Sequence, residues 1–174
     1  GKDNVFGKKY FKNISDKEDN QLGLLWDDPA SHDDLVVNQT MYLVVGRPVK
    51  LIINSRDVIH DVGLAHFRMK MDAVPGTPTT MWFTPKYTTE EMRKKLNDPE
   101  FDYELSCDQM CGRGHFSMKG VVKVVTPDEF ILWRAREKPN YARVMNANPP
   151  APTSADTTKV SSIKPNEASV AHTK

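Results

Sequence analysis

The feature that most constrains this chain is a short segment containing four side chains able to ligate a metal: Cys107, Cys111, His115 and Met118. Their spacing is C-x3-C-x3-H-x2-M. The segment joins two strand-like runs, so it is predicted to be a loop, and Gly112 and Gly114 allow that loop to turn tightly. A fold that contains it must hold the loop between two strands and bring any missing ligand from elsewhere.

The chemistry of these side chains indicates copper. Two thiolates, an imidazole and a thioether are soft ligands that suit copper, whereas Met is a poor ligand for zinc. Two thiolates close together in one loop can each bridge two metal ions, which leaves one His and one weak ligand for each copper. The loop lacks the second His, and His60, at the end of a strand-like run, is the natural candidate.

Each of these residues has an ordinary structural interpretation when taken alone. A C-x3-C pair can be a disulfide, Met118 can be a core residue, and His60 or His115 can be a histidine of a loop or core. The order and spacing of the whole set favour the metal site. His66 fits no position in the set and is predicted to be a loop or surface residue, while His32 and His172 receive no role.

The apolar pattern divides the chain into three zones. Residues 1–34 are polar, residues 35–137 hold nearly all of the apolar periodicity, and residues 138–174 form a Pro-, Ala-, Ser- and Thr-rich tail that is predicted to be disordered. In the middle zone, Val49–Ile53 alternates with the period of a half-buried strand. Strands are predicted over residues 36–37, 41–45, 49–53, 58–64, 67–71, 79–84, 101–105 and 120–125.

Two short helices are predicted from capping signals. One begins after Thr126, with Pro127 at its first position and Glu129 at the capping-box position. The other begins after Thr88 and runs to about Leu96. Many short strands with few helices predict an all-β sandwich or barrel.

Charge and hydropathy exclude several classes of protein. The chain has 24 Lys and Arg against 23 Asp and Glu, a net charge of +1 that gives no case for nucleic-acid binding. No apolar run approaches the roughly 20 residues that a membrane helix needs. The start resembles no signal peptide and has no initiator Met, so the chain is interpreted as a processed or truncated segment.

The chain resembles the copper-binding domain of subunit II of cytochrome c oxidases over about residues 35–137. The resemblance lies in the loop C-D-Q-M-C-G-R-G-H-F-S-M and in the upstream blocks S-R-D-V-I-H and F-R-M-K-M-D-A-V-P-G. It implies a cupredoxin Greek-key β-barrel with a dinuclear centre of the CuA type. His60 and His115 would each bind one copper, the sulfurs of Cys107 and Cys111 would bridge both, and Met118 and the carbonyl of Gln109 would be weak ligands.

The resemblance also implies a function in respiration. Electrons would arrive from a c-type cytochrome and leave to a haem in subunit I, where oxygen is reduced, so this chain would be the electron-accepting subunit of a proton-pumping oxidase. The domain would lie on the periplasmic side of a respiratory membrane, in a bacterium rather than a mitochondrion, with its membrane anchor before Gly1. Asp57, Asp61 and Asp108 are candidates for docking the cytochrome, and Met110 and Phe116 for shielding the sulfurs from water.

The chain departs from the family pattern in three respects. The two transmembrane helices of the family and the aromatic stretch that follows them are absent from the chain as given and would lie before Gly1. Many members have Glu at the position of Gln109, where the side chain helps to bind magnesium at the interface with subunit I, so that ion is in doubt here. The segment Thr84–Pro99 looks inserted and has no assigned function. Alternatives are a thioredoxin-fold copper-delivery protein, a nitrous oxide reductase, and a structural zinc or disulfide module.

Overall fold

The computed structural model describes residues 5–38 and 40–147. Short 3-10 turns lie at Phe11–Asn13, Pro29–Ser31 and Ala65–Phe67. The regular elements are β1 (Thr40–Val44), β2 (Val49–Ile53), β3 (His60–Leu64), β4 (Met69–Ala73), β5 (Thr79–Phe83), α1 (Thr89–Leu96), β6 (Tyr103–Ser106), β7 (Lys119–Val125), α2 (Pro127–Arg136) and α3 (Asn140–Ala147).

The strands form two sheets whose spatial order differs from their order in the chain. A five-stranded sheet has the order β1-β7-β6-β3-β4, and a two-stranded sheet pairs β2 with β5. The first strand lies parallel to the last, with Thr40 opposite Val121, while the other pairs are antiparallel. The predicted all-β, cupredoxin-like barrel is therefore confirmed.

The buried core lies in the zone that carries the apolar periodicity. Along β2, Lys50 and Ile52 are exposed while Ile53 is buried, which is the alternation that the sequence predicts. The strand predicted from Val58 begins two residues later, at His60. The core cluster consists of Leu43, Ile53, Leu64, Ala73, Met81, Phe83, Phe101, Tyr103, Val122 and Val124.

Both predicted helices are present, and each has the capping box that predicted it. The hydroxyl of Thr88 accepts the N–H of Glu91, and the hydroxyl of Thr126 accepts the N–H of Glu129. Helix α2 packs on the sheet through Trp133, whose ring stacks on Tyr42 at 4.6 Å. The inserted segment is thus built around α1, and the domain closes with α2.

The N-terminal segment and the start of the predicted tail are folded together. The tail is predicted to lack order from residue 138, but Asn140–Ala147 form α3, and Val144 on this helix is buried. The ring of Tyr141 stacks on His32 at 3.8 Å, so His32 has a packing role that the sequence did not predict. Residues 148–174, including His172, lie outside the described residues.

None of the helices between residues 5 and 147 has the length and apolar character that a membrane crossing requires.

Candidate metal centre

The segment from Cys107 to Met118 is a loop whose two ends are held by the β6–β7 pairing. Ser106, the last residue of β6, lies opposite Lys119, the first residue of β7. The N–H of Cys107 donates to the carbonyl of Met118 at 3.1 Å. Within the loop, Gly112 has φ +131°, a conformation that other residues rarely adopt. The sheet therefore fixes the base of the loop, and glycine permits its turn.

The two sulfurs face each other without a covalent bond. Sγ of Cys107 and Sγ of Cys111 are 3.7 Å apart, and both cysteines are free. A disulfide has its sulfurs about 2.05 Å apart, so the disulfide interpretation of the C-x3-C pair does not describe this arrangement. The separation leaves each sulfur able to ligate.

Each sulfur has its own imidazole. Nδ1 of His60 lies 3.9 Å from Sγ of Cys107, although the two residues are 47 positions apart in the chain. Nδ1 of His115, in the 3-10 turn His115–Ser117, lies 3.6 Å from Sγ of Cys111. The ligand atoms of His60, Cys107 and Cys111 lie within 4.8 Å of one another and could hold a metal ion.

The two weaker donors also lie beside the sulfurs, one on each side. Sδ of Met118 is 3.3 Å from Sγ of Cys111. The carbonyl oxygen of Gln109 is 3.3 Å from Sγ of Cys107. The structure thus brings together every residue that the sequence analysis selected as a ligand, and the donor set of two thiols, two imidazoles, a thioether and a carbonyl fits a soft metal.

Asp57 orients the His60 ring, a contact that the sequence analysis did not predict. Its Oδ1 lies 2.8 Å from Nε2 of His60, which leaves Nδ1 facing the sulfurs. The hydrogen bond to Asp57, followed by that to Cys107, raises the pKa of His60, and the same bond lowers the pKa of Asp57. Carboxylates in this position commonly fix the ring of a metal-binding histidine. The sequence feature that could have predicted this contact is the D-x-x-H spacing of Asp57 and His60.

The surroundings make the two thiols unequal acids. Burial opposes ionisation of Cys107, but hydrogen bonds from the backbone of Asp61, followed by other bonds that include His60, lower its pKa to about 6. Burial and the neighbouring Cys107 sulfur raise the pKa of Cys111 above its ordinary value. Near neutral pH the pair therefore holds one thiolate and one thiol, and a thiolate is the form that binds metals.

Several side chains near the loop do not lie where the sequence analysis expected. The side chain of Asp61 is buried on β3. Its carboxylate is therefore not available to a docking protein. Met110 and Phe116 are 78% and 79% exposed, so their side chains project into solvent rather than being packed around the sulfurs. His66 is exposed and lies edge-on to Phe101 at 5.0 Å, outside the metal site as predicted.

The fold and the site define a β-barrel domain with a candidate metal site, in which sulfur and imidazole donors meet at one interstrand loop. The chain belongs to the family of cytochrome c oxidase subunit II, because the family model described as "Cytochrome C oxidase subunit II, periplasmic domain" matches residues 25–125. This membership and the β topology contradict the thioredoxin-fold alternative.

Individual relatives agree with this family. The chain is 34% identical over 139 residues to "Alternative cytochrome c oxidase subunit 2" of Bradyrhizobium diazoefficiens. The matched region covers 79% of this chain and 45% of that protein. It is 34% identical over 106 residues to the cytochrome c oxidase subunit 2 of Thermostichus vulcanus, covering 61% of this chain and 28% of that protein. The chain thus spans less than half the length of these curated relatives.

Among solved structures, the chain is similar to the periplasmic domain of subunit II of cytochrome oxidase of Bradyrhizobium japonicum. The two are 27% identical, with a TM-score of 0.47, over 64% of this chain and 70% of that chain.

Proposed function

We propose that this domain holds a dinuclear copper centre of the CuA type. The ligands are His60, Cys107, Gln109, Cys111, His115 and Met118, with Gln109 contributing its backbone carbonyl. The observation that carries the proposal is the pair of sulfurs 3.7 Å apart, each with one imidazole beside it. Cys107 and Cys111 would hold two copper ions between them, and His60 and His115 would each supply a further ligand to one of the two ions.

The donor set supports copper over zinc. Structural zinc sites are tetrahedral and are built from Cys and His, without thioethers. Here a thioether and a backbone carbonyl lie 3.3 Å from the sulfurs, so the site has more donors than one tetrahedral ion uses. Soft thiolate and thioether ligands favour copper.

The proposed role is that of the electron-accepting subunit of a haem–copper cytochrome c oxidase. Electrons would come from a c-type cytochrome and pass to haem in subunit I, on another chain, where oxygen is reduced. The family membership supports this role, and it supports a position on the periplasmic face of a bacterial respiratory membrane. The same proposal includes the attachment of the protein to the membrane and its contact with subunit I.

The residues of this chain would hold the centre still during electron transfer. A bound dinuclear copper centre supplies single-electron transfer in which no bond is made or broken. The β6–β7 pairing fixes both ends of the ligand loop, and Asp57 fixes the His60 ring at 2.8 Å. Ligands that do not move when the charge changes keep the reorganisation energy low, which permits fast transfer.

Magnesium is a separate part of the proposal. A site that uses a carboxylate at position 109 would be weakened here, since Gln109 is neutral and Mg²⁺ prefers charged oxygen ligands. We propose that Gln109 serves the copper centre through its carbonyl and contributes no carboxylate to a neighbouring magnesium ion.

Electron paramagnetic resonance of the copper-loaded domain tests the assignment. The expected spectrum has one unpaired electron with hyperfine coupling to two copper nuclei, at two coppers per chain. Cys111→Ser should abolish that spectrum because it removes one bridging sulfur, whereas Ser117→Ala in the same loop should retain it. A zinc or disulfide module would give no such signal, and an unchanged spectrum in Cys111→Ser would refute the ligand set.

A further inference from the structure

Asp61 is a buried acid that the proposed electron transfer does not use. It follows the ligand His60 on β3, and its side chain is 0% exposed. A buried carboxylate is costly unless its oxygens are paired. The contacts of Asp61 therefore indicate what it contributes.

Both oxygens of Asp61 have partners, and one partner belongs to the ligand loop. Oδ1 accepts the backbone N–H of Asp108, in a short hydrogen bond between residues 47 positions apart. Oδ2 lies 3.3 Å from Nζ of Lys70, in an ion pair whose geometry is not that of a hydrogen bond. One side chain of β3 thus holds the ligand loop at Asp108, the residue that follows Cys107.

The side chain of Asp108 is fitted to the same strand. Its Oδ1 accepts the hydroxyl of Ser106 at 2.8 Å. A Cβ at Gly63 would lie 2.8 Å from Cγ of Asp108, so the Asp108 side chain covers a position on β3 where only glycine leaves room. Gly63 also lies opposite Ser106 in the register pair between β3 and β6. The hydrogen bond from the Asp108 amide to Asp61 therefore extends the contact between β3 and the chain beyond the end of β6.

A pocket of about 430 Å³ opens to solvent beside the base of the loop, and Asp61, Cys107 and Met118 are among its lining residues. The loop is therefore not packed against another element on the side that faces this pocket. The hydrogen bond from the Asp108 amide to Asp61 holds the loop beside the pocket.

We infer that Asp61 is a positioning residue for the proposed copper centre, which means that the inference rests on the proposed function. By holding Asp108, it sets the positions of the Cys107 sulfur and the Gln109 carbonyl on either side. Lys70 compensates the charge of Asp61. Residues that orient metal ligands without touching the metal typically change metal affinity about 10- to 100-fold when they are replaced.

The test compares three variants of the copper-loaded chain. Asp61→Ala removes the acceptor, Asp61→Asn keeps an acceptor of the same shape, and Asp72→Ala replaces the exposed acid that lies opposite Asp61 on β4. We expect Asp61→Ala to lose copper to a chelator at least tenfold faster and to show an altered hyperfine pattern. Asp61→Asn should retain the two-copper pattern, and Asp72→Ala should match the unsubstituted chain.

The outcomes separate the inference from the proposed function. If the unsubstituted chain shows no two-copper spectrum, the proposed function fails. If it does, and Asp61→Ala matches Asp72→Ala in spectrum and copper retention, the positioning role is wrong. Should Asp61→Ala not fold, amide exchange in the unsubstituted, metal-free chain decides. After correction for intrinsic rates, the Asp108 amide should exchange at least tenfold more slowly than that of Met110, and equal rates would overturn the inference.

Discussion

The side-chain amide of Asn140 donates to the backbone carbonyl of Asp19 at 2.6 Å, across 121 positions of the chain. The backbone N–H of Asn140 donates to the carbonyl of Asp34, and the residue is 1% exposed. Arg143, one turn along α3, pairs with the carboxylate of Asp19 at 3.5 Å. These contacts join the segment before β1 to α3, the helix that follows α2.

Asn140→Ala should weaken this connection. The substitution removes the hydrogen bond between this buried side chain and the carbonyl of Asp19, and such a bond contributes about 0.5–1.5 kcal/mol. Chemical denaturation should show a lower free energy of unfolding by that amount. Asn146→Ala, on an exposed position of the same helix, should stay within about 0.5 kcal/mol. Equal stability of the two variants would contradict the role assigned to Asn140.

The two thiols of the metal-free domain should ionise in separate steps. Because hydrogen bonds lower the pKa of Cys107 to about 6, the first thiolate should form as the pH rises through that value. The second should form above the ordinary thiol range, since the pKa of Cys111 is raised. Ultraviolet absorbance of the thiolate measures both steps. A single step carrying the whole signal near the ordinary thiol pKa would contradict the prediction.

Asp57→Asn should loosen the His60 ring. The amide keeps the size of the carboxylate but removes its charge, so the pKa of His60 should fall toward its ordinary value. With the ring less firmly oriented, copper affinity should fall about tenfold. Competition with a chelator measures the affinity, and nuclear magnetic resonance of the metal-free domain measures the pKa. Asp27→Asn, an exposed acid outside the loop, is the control and should change neither.

Gly63→Ala should disturb the ligand loop through its contact with Asp108. The added Cβ would overlap Oδ2 of Asp108 and lie 2.8 Å from its Cγ and 3.2 Å from the carbonyl of Ser106, so the Asp108 carboxylate must move. Moving it breaks its hydrogen bond with the Ser106 hydroxyl, and such a bond contributes about 0.5–1.5 kcal/mol. Thermal unfolding and the copper spectrum should both change. Gly114→Ala is the matched control, because a Cβ there meets nothing nearer than 4.0 Å.

The sequence predicted the barrel because its elements depend on local patterns. Alternation along Val49–Ile53 and the capping boxes at Thr88 and Thr126 predicted elements that the structure contains. The sequence also selected the side chains that meet at the candidate metal site, because soft donors at close spacing are a recognisable pattern; their role as ligands stays a prediction. The attachment of α3 was not predicted, since Asn140 and Asp19 are polar and give no periodic signal. The burial of Asp61 was missed for the same reason: an acid on a strand ordinarily faces solvent.

The distance in sequence between His60 and the two cysteines has a consequence for biogenesis. During synthesis His60 emerges first, and Cys107 follows 47 positions later, so Cys107 has no imidazole beside it until β3 meets β6. Loading of the proposed copper centre should therefore come after the barrel has closed, because an unfolded chain presents only the ligands of the loop. The proposed centre also requires that both sulfurs stay reduced until then.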